Sequence, residues 1–365
     1  MEAETPGVLP IIQAVDQELL TTLLKYADRL PRDLITMGKL ALSARGKVMA
    51  LSAEELAGDA VPADIPRWPL YVVLSYQAAS PEGQRHTWSN ALPAAVAVEI
   101  AMAAADVLDE ITDADPSPLV ATYGPGQALN TANLMLVMSQ QVLAWHAREG
   151  GGNRALAALG ALQDMLVEAA VGQHLDMLYE RMGAGEVDLD MSADMTAKKA
   201  GALLGGACRM GALSAGAPDE IVQLLDRFGR AMGGVAQLIN DIQDVLPSES
   251  IGDGDLERKT DLKLKKRTLP IVFTLRDDSP EPNALQRAFL NPDTEEADEE
   301  ELRRAVLSVG GVQFAQLLIE VHRRNAAQAL EELEALRPGA RQILSPLFSF
   351  DESEQPPSRA SSSSG

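Results

Sequence analysis

Apolar residues recur along most of the chain with the spacing of helices. Ala-, Leu- and Met-rich runs of this period cover about 11–25, 91–113, 126–147, 153–182, 194–214, 219–246 and 300–336. Short Gly, Pro and Asp punctuation separates them, as in Gly150-Gly151-Gly152-Asn153 and Ala217-Pro218-Asp219. Sustained alternation of apolar and polar residues is absent, and Leu70 to Tyr76 is the only β-like run. The pattern predicts an all-α protein. Several helices are apolar on most sides, which places them inside a multi-layer bundle. Two segments stand apart. Asp293 to Glu301 is an acid run, read as a solvated loop or helix start. From Asp351 the chain carries Pro356-Pro357 and a run of four serines at 361–364, a low-complexity tail expected to be disordered.

Composition narrows the function. Acids outnumber bases 53 to 31 over 365 residues, a formal net charge of -22. Such a protein repels phosphate backbones, so no nucleic-acid partner is expected. A polyanionic substrate would need metal ions or a local basic patch. One cysteine, Cys208, excludes a disulfide framework and a thiolate zinc site. His86, His146, His174 and His322 lack zinc-ligand spacing. The acidic start Met1-Glu2-Ala3-Glu4-Thr5 is unlike an export signal. The longest apolar stretch, Ala91 to Leu108, carries Glu99 and Asp106 and falls short of a bilayer crossing. No membrane span and a cytoplasmic location are therefore expected.

Two acid clusters interrupt apolar helices. Asp106, Asp109, Glu110 and Asp113 lie at i, i+3, i+4 and i+7 and share one helix face. Four acids on one face repel one another unless cations sit between them. The second cluster is Gln237-Leu238-Ile239-Asn240-Asp241-Ile242-Gln243-Asp244, with Asn240 and Asp244 one turn apart. These are hard oxygen ligands suited to Mg²⁺. Each cluster alone also suits a solvated face, a helix end or a buried polar network. Lys259 to Pro270 is the densest cationic stretch, and Lys198-Lys199 opens another predicted helix. Lysine runs are usually solvated. Acids on two helices with lysines nearby can instead chelate Mg²⁺ and hold a diphosphate.

With these residues the chain resembles the trans-isoprenyl diphosphate synthases, the polyprenyl synthetase family. The family's first Asp-Asp-x-x-Asp motif is matched by Asp109-Glu110-Ile111-Thr112-Asp113, with Glu99 upstream, and its second by Gln237 to Asp244. Its later Lys-x-Thr-Leu-Pro signature reads Asp261-Leu262…Lys266-Arg267-Thr268-Leu269-Pro270. A Lys-Thr helix start corresponds to Lys199-Ala200, and a Gly-Gln…Asp motif to Gly172-Gln173…Asp176. The resemblance implies a single-domain helical bundle of the isoprenoid synthase type with a central apolar cavity. The expected division is an N-terminal helical extension at 1–34, the synthase-like domain at 35–350 and the tail at 351–365.

The resemblance further implies three Mg²⁺ ions bridging the aspartates and an allylic prenyl diphosphate. Asp109, Glu110, Asp113, Asn240, Asp241 and Asp244 would be metal ligands. Asp109, Asp113, Asp241, Lys199 and Lys266 would be catalytic. Lys199, Lys266, Lys259 and Gln237 would bind the diphosphate. Metals and lysines stabilise the leaving diphosphate while an allylic carbocation forms in a dry pocket. The positions under the first motif are Ala105 and Ala104, with Ala103 and Ala101 behind. Small residues there leave room for a long tail, and each extra buried CH₂ contributes roughly 0.8 kcal/mol, so C15 or C20 substrates are favoured over C10. Asp106 stands one turn below Asp109, where the family usually has an apolar residue, and is expected to be a buried acid that repels the upper carboxylates. It is read either as bonding a neighbouring helix or as orienting or deprotonating an acceptor.

The departures bear on the acceptor, which stays unknown. The family's Gly-Lys-x-x-Arg-Pro clasp for isopentenyl diphosphate has shrunk to Pro66-Arg67-Trp68-Pro69. After Asp113 comes Asp115-Pro116-Ser117-Pro118, with no arginine until Arg148. Each missing charged hydrogen bond forfeits roughly 1.5–3 kcal/mol. An acceptor other than isopentenyl diphosphate is therefore favoured over elongation, in the manner of peptide isoprenyltransferases. Terpene cyclisation on the same fold is the alternative. Asn240 could begin its second metal motif, but Asp244 and Ser248 replace the expected Ser or Thr and Glu, and aromatics are only 4% of the chain. A non-catalytic subunit of a synthase is a further alternative. A homodimer is expected.

Overall fold

The computed structural model describes residues 8–26, 28–43, 68–113, 117–246, 261–290 and 298–352, with the backbone alone for 263 and 348–352. Among the described residues the structure is helical with no strand. Helices α1 (Val8–Leu24) and α2 (Arg32–Leu42) precede α3 (Trp68–Ala79) and a 3₁₀ segment, Glu82–Ala91. Then come α4 (Leu92–Thr112), α5 (Pro118–Tyr123), α6 (Pro125–His146), α7 (Gly152–Glu180), α8 (Leu189–Thr196), α9 (Ala202–Ala215) and α10 (Asp219–Val245). The last part is α11 (Asp261–Leu264), α12 (Leu269–Leu275), α13 (Ala284–Leu290), α14 (Glu299–Val309), α15 (Gly311–Leu336) and α16 (Ala340–Glu352).

Leu70 to Tyr76, β-like in sequence, lies within α3. Every residue from Pro69 to Ala79 except the half-buried Tyr71 is buried, so no polar face marks the helical period. The predicted helix over 300–336 is two helices bent by 57°. Gly310, at φ 99°, ends α14 in the left-handed region that favours glycine. The acid run before it serves as a helix start, where the Asp298 carboxylate accepts from the Glu300 N–H at 3.1 Å. Residues 291–297 of that run lie outside the described part. So does the tail beyond Glu352, while Asp351 and Glu352 complete α16. The pair Lys198-Lys199 does not open a helix. It sits in a π-helical turn, Ala197–Gly201, between α8 and α9.

The main apolar core joins α1, α2, α3, α4, α6, α7, α9, the first half of α10, the second half of α15 and α16. Ile11, Ile12, Val15 and Leu19 of the N-terminal segment belong to it. A second core gathers Val235 to Val245 of α10 with α12, α13, α14 and α15. Thus α10 runs through both, packing on α9 and α15. Among the described residues two stretches, Glu82–Thr112 and Pro125–Glu180, are long and apolar enough to cross a membrane by length and composition, the first of them contrary to the expectation from Ala91 to Leu108. The apolar window of the first is 72% buried, so α4 spends its apolarity on the core, whereas that of the second is 33% buried.

Candidate active site

Helix α4 carries the first acid cluster over its last two turns, and Asp113 caps it. A helix C-terminus disfavours carboxylates, so cations must compensate. Two lysines from elsewhere do so. Lys199 Nζ lies 3.3 Å from Asp109 Oδ1, and Lys266 Nζ lies 2.6 Å from Asp113 Oδ2. Asp176 of α7 stands between them, its Oδ2 at 2.8 Å from Lys199 Nζ and 3.5 Å from Lys266 Nζ. The result is a chain Asp109–Lys199–Asp176–Lys266–Asp113 that links four parts of the sequence. Glycine makes one link possible. A Cβ on Gly172 would lie 2.4 Å from the Lys199 backbone nitrogen, so only glycine lets α7 come this close to the π turn. One turn later α7 delivers Asp176 to the lysine.

The second cluster lies on α10, where Asp241 is buried and Asn240 is exposed. Asp241 Oδ1 accepts from Gln237 Nε2 at 2.9 Å, while its Oδ2 is buried without a hydrogen-bond partner. Burial, with repulsion from Asp176 and Asp244, pushes its carboxyl up to about 7 against the pull of Gln237. Asp261, at the start of α11, is pushed to about 8 by burial and by Asp244 and Asp241. Asp113 is also raised, by burial and then by Asp109, although Lys266 and Lys199 oppose the shift. Asp176 goes the other way. Burial raises it, but the two lysines outweigh burial and hold it below its ordinary value. Burial likewise lowers Lys199 and Lys266, and their carboxylate neighbours outweigh it, so both ammonium groups stay charged.

The electrostatic neighbours tie the two clusters together, because Asp176 and Lys199 act on Asp241 while also contacting the first cluster. Asp109, Asp113, Asp241, Lys199 and Lys266 thus come to one region, with Asp244 acting on Asp241. Glu110 is half-buried on α4 beside Asp109. Asp176 and Asp261 belong to the matched motifs but are not among the expected site residues, although both sit at the centre. Their neighbours alone could not single them out, since contact with the lysines is tertiary. Lys259, Arg67 and the segment 114–116 lie outside the described residues. Lys265 points away, its Nζ donating to the Ala288 carbonyl at 3.3 Å.

Under the first cluster, Ala101, Ala103 and Ala104 are fully buried and Ala105 is half-buried. Asp106 is half-buried, so it is not the deeply buried acid that its apolar surroundings in sequence suggested. An apolar recess nearby is lined by Leu34, Gly38, Ile100, Thr131 and Met135, but not by Ala104 or Ala105. Ile100 lies on the side of α4 away from Asp109, as the helical period requires.

The donor set fits a divalent cation in kind. It is made of carboxylates and amides, hard oxygen donors, and one buried carboxylate oxygen has no hydrogen bond. No group of three acids, histidines or cysteines converges on one point among the described residues, since lysines hold the first cluster.

Comparison with known proteins gives this arrangement its class. The sequence profile of the polyprenyl synthetases matches residues 67–308. The chain is 30% identical over 285 residues to nonaprenyl diphosphate synthase of Mycobacterium tuberculosis, covering 75% of this chain and 78% of that one. It is 26% identical over 276 residues to geranylfarnesyl diphosphate synthase of Aeropyrum pernix, covering 72% and 82%. Its fold matches the crystal structure of polyprenyl synthase from Caulobacter crescentus complexed with calcium and isoprenyl diphosphate, at TM-score 0.70, 19% identity and coverage of 94% and 97%. The protein belongs to the polyprenyl synthetase family. Its curated relatives are named as prenyl diphosphate synthases, which makes the family one of prenyltransferases.

Proposed function

We propose that the protein is an Mg²⁺-dependent prenyltransferase that ionises an allylic prenyl diphosphate and passes the prenyl group to a nucleophile. The observation carrying this reading is the ion-pair chain joining Asp109, Lys199, Asp176, Lys266 and Asp113 beside the buried, hydrogen-bond-deficient Asp241. Asp109, Glu110 and Asp113 on one helix and Asn240, Asp241 and Asp244 on the other would hold the metal. Bound there, Mg²⁺ would neutralise charge that develops on the leaving diphosphate. Lys199 and Lys266 are fully charged and already directed at this space, so they can move from carboxylate to phosphate oxygens without reorganising the fold. Asp176 keeps both lysines protonated and oriented. Gln237 holds Asp241 in place. Below the acids, Ala101, Ala104 and Ala105 leave the walls small and unreactive toward a cation, which suits a C15 or C20 tail.

The acceptor side supports two readings. Arg67 is the lone cation of the shrunken clasp, which favours an acceptor other than isopentenyl diphosphate. The naming of both relatives as diphosphate synthases favours ordinary elongation. Incubation with Mg²⁺ and C10, C15 or C20 allylic diphosphates, with and without isopentenyl diphosphate, separates them. Diphosphate release without a longer product is expected. A longer prenyl diphosphate would establish elongation, cyclic hydrocarbon would establish a cyclase, and no release from any substrate would leave a non-catalytic subunit.

A homodimer and a cytoplasmic location belong to the same reading. Leu129 and Val137 of α6 and Leu156, Val167, Val171 and Leu178 of α7 are exposed, an apolar surface that a second copy could cover. Light scattering that finds only monomer would remove this part.

A further inference from the structure

Arg267 is buried beside the site yet has no carboxylate in ion-pair contact among the described residues. Its guanidinium instead donates to two backbone carbonyls. One is that of Met182, in the segment after α7, at 2.7 Å, and the other is that of Lys265, two residues back. The guanidinium carbon sits 4.4 Å above the Phe289 ring of α13. Its own carbonyl accepts from Ser192 Oγ of α8 at 2.7 Å. One residue therefore ties three separate segments to the turn that carries Lys266.

That turn is under backbone strain. Lys265 has φ 56° and is the only non-glycine residue in the left-handed region among those described. The conformation reverses the chain after α11, so that the Lys266 N–H returns to the Asp261 carbonyl at 2.9 Å. It also sends successive lysines in opposite directions. Lys265 reaches toward Ala288, and Lys266 reaches Asp113 and Asp176. A strained conformation persists only where its surroundings determine it. On the near side it is held by the Lys265 N–H donating to the Leu262 carbonyl at 3.3 Å and by the Lys265 ammonium at the Ala288 carbonyl. On the far side, toward Lys266, it is held by the Arg267 side chain at the Lys265 carbonyl and by the Asp261 carbonyl at the Lys266 N–H.

We propose that Arg267 is a positioning residue, which clamps the left-handed Lys265 and thereby aims the Lys266 ammonium at the diphosphate. This rests on the reading of Lys266 as a diphosphate ligand. Without the clamp Lys265 relaxes toward an ordinary conformation, and Lys266 loses its fixed direction. The turn would bind diphosphate as poorly as one without Lys266.

The test is a double-mutant cycle read by calorimetric titration of inorganic diphosphate in Mg²⁺ buffer. Wild type, Lys266→Ala, Arg267→Gln and the double variant are compared. Each single change is expected to weaken binding about tenfold, and the double variant no more than the Lys266 variant alone, because coupled residues are not additive. A residue that merely ties loops together would add its own loss in the double variant. Adding Lys265→Gly to Arg267→Gln is expected to restore much of the affinity, since glycine accepts φ 56° without a clamp. Where Arg267→Gln fails to fold, Arg267→Lys replaces it in the same cycle. Unchanged binding by Lys266→Ala would overturn the site reading and the proposal together. Loss in Lys266→Ala with none in the Arg267 variant, or fully multiplicative losses, would overturn the positioning role alone.

Discussion

The two acid clusters are made of similar residues but stand in different electrostatic conditions. On α4, Asp109 and Asp113 are matched by lysines at 3.3 and 2.6 Å and remain partly open to solvent. On α10, Asp241 is buried, has no lysine or arginine in ion-pair contact among the described residues, and is pushed up to about 7. The same side chain is thus held by a cation in one place, where lysines oppose the burial that raises Asp113, and is left without one in the other. The difference comes from partners, since Asp176 supplies both lysines to the first cluster while its own charge repels Asp241. A divalent cation would complete the second cluster and compete with lysines at the first. In the proposed cycle the lysines so released are free for phosphate oxygens.

The strongest way to break this comparison is to remove a carboxylate from each side. Asp109→Ala and Asp241→Ala should each cut Mg²⁺-dependent diphosphate release by about a thousandfold if the clusters act on one metal-diphosphate unit. They should differ in the metal-free protein, where loss of Asp241 removes a buried repulsive charge and should raise the melting temperature at pH 8. Equal stability effects would erase the contrast, and unchanged turnover in either variant would mean a different site.

A pH series sharpens it. Asp241 and Asp261 have folded values of about 7 and about 8, above the 3.8 of an exposed aspartate. Between roughly pH 4 and 8 these two carboxyls therefore bind more protons in the folded chain than in the unfolded one, and their contribution to metal-free stability falls as pH rises. For Asp241 the loss is on the order of 4 kcal/mol when complete. Mg²⁺ should restore more stability at pH 8 than at pH 6, and its binding near pH 7 should release protons. Melting curves in chelator and in Mg²⁺ measure the first effect, and titration in buffers of different ionisation enthalpy measures the second. A flat metal-free profile would remove this account of Asp241.

Gly172→Val tests how Asp176 reaches both lysines. A Cβ there meets the Lys199 backbone at 2.4 Å, so overpacking should cost about 1–3 kcal/mol by thermal unfolding. It should also weaken diphosphate binding, and an unchanged melting temperature would show that the approach is not tight. The smallest effect concerns the tail. Replacing Ala104 and Ala105 with Phe should shift preference from C15 or C20 toward C10 by about tenfold, comparable to the few CH₂ groups no longer buried. No shift would place the tail elsewhere, for example toward the recess at Ile100.

Much of this was legible before any fold was in view. Residues Leu92–Thr112 and Asp219–Val245 announce themselves as helices by period, and the i, i+4 spacing of Asp109 and Asp113 puts them on one face. The segment Trp68–Ala79 did not, because a helix buried on all sides loses the polar stripe that marks its period. Asp106 looked buried from its alanine neighbours but is half-buried. One-dimensional context reports the average environment of a helix, not the side it turns to solvent.

The sequence by itself determined most of the long helices, the oxygen-ligand chemistry of both clusters, the supply of lysines and the family. Those are local properties, carried by residue type and spacing within a few turns. Tertiary structure alone decided that Asp176 lies between Lys199 and Lys266, that Asp241 is costly to ionise, and that Arg267 holds the strained turn. Each depends on charges or carbonyls brought together from distant parts of the chain. Coulomb and desolvation energies depend on distance in space and burial, and neither is a function of separation along the chain.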